Sequence, residues 1–404
     1  MTRSSRRNRP SPHRRSTTAV AALALFALTG CQSVEPAPVA DSSPSADVPT
    51  AKREIDAPAR HLTTLDADGG IHHLDQHTGL NRALGAIEPA ETLATEGRYL
   101  YASRPGSVSI VDSGAWTWSH GDHFHYYEAP AVALGELTGE GAPVVVANDH
   151  AAGVFFDGGE AVLLDAAALA DGERVERFRL DVEPHAGMVV PLRSGALVTD
   201  PRAGGLRHVG ATGETRAEVE CAEPAGAIAT AVGVVVGCAD GAVLAVTGAG
   251  ATTFERIPYP DEVTERARTF EAREGRPTVA GLTGDETFWL LDTRERSWTS
   301  VDAGFAPVLV TAVDDTDETV VALAPDGSVV CLDADGLRWQ TGPLVAASLA
   351  DEALATGIEL VVDADVAALN DPAGRRLIEL DLDTGDVSST STDHLPLLLA
   401  GTGR

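Results

Sequence analysis

Beyond residue 60 the chain is built from short apolar runs, each cut off by Gly, Asp or Asn. Apolar positions at helical spacing are scarce. Short alternating stretches bounded by turn residues predict strands instead, and an all-β fold. One unit recurs: an apolar strand, an Asp/Gly turn, a second apolar strand ending in Asp, then a Thr-Gly or Asp-Gly turn. Clear copies run from Leu65 to Asp75 and from Val321 to Asp333, and another from Asn370 through Leu377 and Asp381 to Gly385. The strand ends supply eight anchors, Asp75, Asp112, Asp165, Val209, Val246, Asp292, Asp333 and Asp381, spaced by about 44 residues. A propeller blade of four short strands takes about 40 to 50 residues. Each blade leaves an apolar face that only its neighbour can cover, so the ring must close. The expectation is a single β-propeller over residues 60–404 with eight blades, seven being the alternative. Regular spacing without an internal linker favours that ring over a β-sandwich.

The first thirty residues stand outside this pattern. Six arginines precede an apolar run, Ala19 to Leu28, which ends in Leu28-Thr29-Gly30-Cys31. A basic region, a short apolar core and small residues before a cut form an export signal. The Leu-x-Gly-Cys ending resembles a bacterial lipobox, with Cys31 as the lipidated mature N-terminus. Residues 31–59, rich in Ser, Pro, Ala and Asp, read as a flexible tether. The expected location is the outer face of the cell membrane, held by lipid alone.

Charge narrows the partners. The chain carries a net charge of −30, and loss of the six leader arginines would take it to about −36. Such a surface repels nucleic acid and favours cations. In an exported protein Cys221 and Cys238, one hairpin apart, are expected to form a disulfide. Cys331, within Val329-Val330-Cys331-Leu332, reads as a buried apolar residue.

The densest chemistry is His120-Gly121-Asp122-His123-Phe124-His125-Tyr126-Tyr127. In an extended segment His123 and His125 face the same way, about 7 Å apart along the strand. A slight bend brings two imidazoles onto one cation of the zinc, copper or nickel type. A tetrahedral site needs further ligands. His185, one blade further on beside Pro184 and Gly187, is a candidate, and Asn148-Asp149-His150 offers another carboxylate or imidazole. His72, His73 and His77 read as surface histidines that could form a weak accessory metal site, and His208 and His394 as structural. Signatures of Walker, dinucleotide, G-x-S-x-G or H-E-x-x-H chemistry do not occur.

These residues resemble the periplasmic zinc metallochaperones called AztD. The specific match is Asp112-Ser113-Gly114-Ala115-Trp116 running into the His-rich segment. Val154 to Gly158, Pro184-His185, Gly237 to Gly241 and Asn370 to Gly374 add to it. The resemblance implies a β-propeller that binds Zn2+ and passes it to the solute-binding protein of an ABC zinc importer. It implies His123, His125 and His185 as ligands, with His120 and Asp149 next. It implies no catalysis, and the protein is expected to be a monomer. The chain departs from the family in having no histidine between Cys31 and Arg60, and in Ala222-Glu223-Pro224-Ala225-Gly226 after Cys221. Two other readings are a propeller hydrolase or lactonase whose metal activates water, and a metal-free interaction scaffold.

Overall fold

The computed structural model describes residues 51–404, apart from 120–122, 249 and 261–264. The export signal, Cys31 and most of the tether lie outside the described residues, as does His120. Among the described residues no helix is long and apolar enough to cross a membrane.

Eight four-stranded antiparallel sheets follow one another along the chain. Seven of them span residues 92–138, 143–181, 189–220, 225–258, 269–302, 309–340 and 360–391. The eighth joins the two ends of the described chain. The last strand, Leu398–Thr402, pairs with His61–Leu65, which continues into Gly70–Asp75 and Asn81–Ala86. This closing blade makes the row of sheets a ring, the eight-bladed propeller that the sequence spacing predicts.

Strand alternation explains why the blades stack. In Ala151–Phe156 every residue is buried. Ala152, Val154 and Phe156 pack with Tyr101 and Ile110 of the preceding blade, while Ala151 and Phe155 pack with Val189 and Val198 of the next. Side chains on opposite faces of one strand thus serve two seams. Eight apolar clusters fill the eight seams. Gly153 is needed at the contact with the next blade, since a Cβ there would collide with the Val189 carbonyl.

The anchoring aspartates close turns. Asp75 Oδ1 accepts from the His77 and Thr78 amides, and Asp165, Asp292 and Asp381 hold the turns after them in the same way. This is the Asx turn that a short carboxylate makes with amides two and three residues on. Cys221 and Cys238 are bonded, with Cα atoms 5.1 Å apart, and tie the blade at 189–220 to its successor. Cys331 is buried on Val329–Asp333.

One sheet lies outside the repeat. Between the third and outer strands of the blade at 92–138 the chain makes a hairpin, Ala115–Ser119 and Phe124–Glu128. Its free edge pairs with Arg53–Ile55. The tether expected over residues 31–59 is therefore corrected at its end, because residues 53–55 are a strand. Two charged residues and a single isoleucine give no strand signal, and the pairing is imposed by the hairpin.

Candidate metal centre

The hairpin displays the His-rich segment. His125 stands on its second strand, opposite Trp118, and His123 immediately precedes that strand. The two Nε2 atoms are 3.0 Å apart. Two nitrogens bound tetrahedrally to one zinc at 2.0–2.1 Å would lie about 3.3 Å apart, so the pair already approaches that spacing. His125 Nδ1 is 2.6 Å from Glu54 Oε1. A carboxylate on the far nitrogen fixes the ring and raises its basicity, the arrangement common behind metal-bound histidines.

Aromatic and ionic contacts hold this geometry. Trp116 and Tyr127 stack at 5.1 Å. Lys52 Nζ lies 5.0 Å and 4.5 Å from their ring centroids, and the Arg98 guanidinium 4.0 Å from Trp116. Arg53 bonds Glu128 at 2.8 Å. Each cation–π contact of this kind contributes about 0.5–1 kcal/mol. The base of the hairpin meets the end of the closing strand, where the Thr117 hydroxyl donates to the Gly403 carbonyl at 3.2 Å. Lys52, Arg53 and Glu54 thus form a clasp over the hairpin. Glu54 had no signal in the sequence, since its partner is 71 residues away.

His185 and Asp149 take other positions. His185 Nδ1 donates to the Glu183 carbonyl at 2.7 Å, and Nε2 stands 2.9 Å from Thr199 Oγ1. Its ring packs edge-on against Phe155. Both ring nitrogens are thus engaged within its own neighbourhood. Asp149 is exposed in the turn closed by Asn148, whose Oδ1 accepts from the His150 amide at 3.0 Å. Its charge reaches Glu274, whose carboxyl is raised first by desolvation and then by Asp149.

Among the described residues one group of three metal-type donors converges, and it lies elsewhere: His72, Asp393 and His394. His72, read as a surface histidine of a weak accessory site, is half-buried, and its ring stacks on His394 at 3.5 Å. The surface reading of His73 is corrected. It is completely buried and stacks on His61 at 4.6 Å. Burial is the first cause holding both imidazoles below their ordinary range, His61 at about 4. Adjacent histidines on a strand face opposite ways, and each face of this blade meets a different neighbour.

No family model matches the chain. Two solved structures of AztD from Citrobacter koseri, one of them the apo form, are similar to it with a TM-score of 0.73 and 21% identity. The match covers 86% of this chain and 98% of theirs. A dihydro-heme d1 dehydrogenase, NirN, is similar at a TM-score of 0.56 and 15% identity, over 89% of this chain and 79% of that one. The chain has an AztD-like β-propeller fold.

Proposed function

We propose that the protein is an exported, lipid-anchored chaperone that binds zinc on its hairpin and hands it to the solute-binding protein of an ABC zinc importer. The observation that carries this reading is the pair of imidazole nitrogens 3.0 Å apart, backed by Glu54. The AztD-like fold and the His-rich segment support it.

On this reading His123 and His125 hold the ion and zinc is cargo, not a catalyst. Handover needs a site that an incoming ligand can reach. His123 is exposed, and the His125 side chain keeps 27% of its surface open. Borderline imidazole donors bind zinc, copper and nickel, and selection among them rests on geometry and supply. The receiving protein would add its own ligands while the two imidazoles leave one at a time. Trp118 and Phe124, 49% and 60% exposed beside the pair, give that partner an apolar foothold.

The test is zinc titration of the metal-free protein against a chromophoric chelator, with His123→Ala/His125→Ala alongside. Loss of one tight equivalent in the double variant is the expected outcome, together with loss of transfer to the importer's binding protein. Equal zinc uptake by both forms would sink the proposal.

A further inference from the structure

The group formed by His72, Asp393 and His394 belongs to the closing blade, away from the hairpin motif. His72 lies on Gly70–Asp75, paired opposite Thr64 on one side and Ala83 on the other. His394 and Asp393 lie between the outer strand Val387–Ser391 and the ring-closing strand Leu398–Thr402. One donor atom from each of the three residues lies within 4.8 Å of the others. The imidazoles stack face to face, with centroids 3.5 Å apart and planes at 6°. Stacked parallel rings send their in-plane lone pairs along parallel lines about 3.5 Å apart, so one imidazole must turn out of the stack before both reach one ion.

Both imidazoles are already held from behind. His72 Nε2 is 3.1 Å from Asp66 Oδ2, and Asp66 Oδ1 is itself fixed by the Asp68 and Gly70 amides at 2.9 and 2.8 Å. His394 Nε2 is 2.8 Å from Thr64 Oγ1, and its Nδ1 is 3.1 Å from Asp393 Oδ1. Partners on the outer nitrogens are what orient metal-bound histidines. His394 is 9% exposed, whereas the Asp393 side chain is 92% exposed. The cluster therefore has a buried floor and an open outer side.

We propose that His72, Asp393 and His394 form a second site for a divalent transition metal of the zinc type, which clips the first strands of the ring to the segment leading into its last strand. Two nitrogens and one carboxylate oxygen suit zinc, and an open outer side leaves room for water as a fourth ligand. The ion joins chain segments some 330 residues apart at the point where the ring closes. Binding to the closed ring and not to the unfolded chain stabilises the fold by linkage. This is a structural role, distinct from the cargo site, and it does not depend on the hairpin reading.

The experiment titrates zinc into the metal-free protein, with chelator competition and thermal unfolding as readouts. His123→Ala/His125→Ala is expected to keep one equivalent and a zinc-dependent rise in Tm. His72→Ala/Asp393→Ala is expected to lose that rise and to bind the closing-blade ion at least ten-fold more weakly. An unchanged zinc-dependent rise in His72→Ala/Asp393→Ala overturns the proposal. Should His72→Ala disturb folding, the exposed Asp393→Ala alone must weaken the same equivalent at least ten-fold, and unchanged binding there also overturns it. Failure of the hairpin reading shows in the other arm, as zinc uptake indifferent to His123 and His125.

Discussion

Glu96 carries a carboxyl into the turn between Thr92–Thr95 and Tyr99–Arg104. Its Oε1 accepts from the Tyr99 amide at 2.9 Å, and its Oε2 is buried without a partner among the described residues. Burial pushes the group from 4.5 up to about 8, the Tyr99 bond pulls the other way, and the Glu274 charge adds to the rise. The native state then holds a proton that the unfolded chain releases. The stabilisation is complete below about pH 4.5 and is lost as pH rises toward 8, because the folded protein binds more protons across that window. Glu96→Gln keeps an acceptor for Tyr99 and removes the titration. The expected result, read from Tm between pH 5 and 8.5, is a shallower decline in the variant. Parallel profiles would show that Glu96 ionises freely. Nothing in Thr95-Glu96-Gly97 announces this, since the burial comes from neighbouring strands and the added charge from Glu274, 178 positions away. The same limit applied to His72 and His394. In the sequence His394 looks solitary and His72 groups with His73 and His77, because the partner of each sits at the opposite end of the chain.

At the scale of elements, the clasp strand Arg53–Ile55 decides whether the hairpin histidines are merely near each other or held. Glu54 is over half exposed, so its removal should hardly alter folding. Its carboxylate on His125 Nδ1 should matter for zinc, because loss of such an outer partner costs about 10- to 100-fold in metal affinity. Glu54→Ala is expected to weaken hairpin zinc by that factor with Tm nearly unchanged, and Glu54→Gln to recover part of it. Full affinity in Glu54→Ala would mean that the clasp only packs. The hairpin itself was partly legible. Alternation placed His123 and His125 on one side, and their nitrogens do meet. The clasp was not legible, since its three residues follow a Ser/Pro-rich stretch and owe their extended shape to contacts with Trp116, His125, Tyr127 and Glu128. His185 shows the converse: Pro184 and Gly187 marked the turn correctly, but Thr199 and the Glu183 carbonyl take up both ring nitrogens.

The whole molecule was the most legible scale, because a ring repeats one local solution eight times. All eight sequence anchors fall in the third strand of a blade, from Asp75 in Gly70–Asp75 to Asp381 in Arg376–Asp381. Burial on both faces is a requirement of every blade, and an Asx turn follows the third strand in the six blades whose anchor is Asp, so both recur in composition even where other residues change. What repetition does not reveal is how firmly the ring shuts. In Leu398–Thr402, Leu398 and Ala400 pack into the seam with the blade at 92–138, and Leu399 into the seam with the blade at 360–391. One strand therefore completes two of the eight seams, and a ring without it becomes an open row with two exposed ends. Leu399→Ala should cost about 2–5 kcal/mol, as buried leucine truncations do. Leu337→Ala, at a side chain 63% exposed, should stay within about 0.5 kcal/mol. Deleting residues 398–404 should do more than lower Tm, because stacked repeats stabilise one another through their interfaces. The expected outcome is a broad unfolding transition that begins with the blades flanking the opening, followed by hydrogen exchange in residues 61–75 and 360–380. A single sharp transition in the truncated chain, with protection in those segments retained, would mean that the other six seams hold the ring without its closing strand.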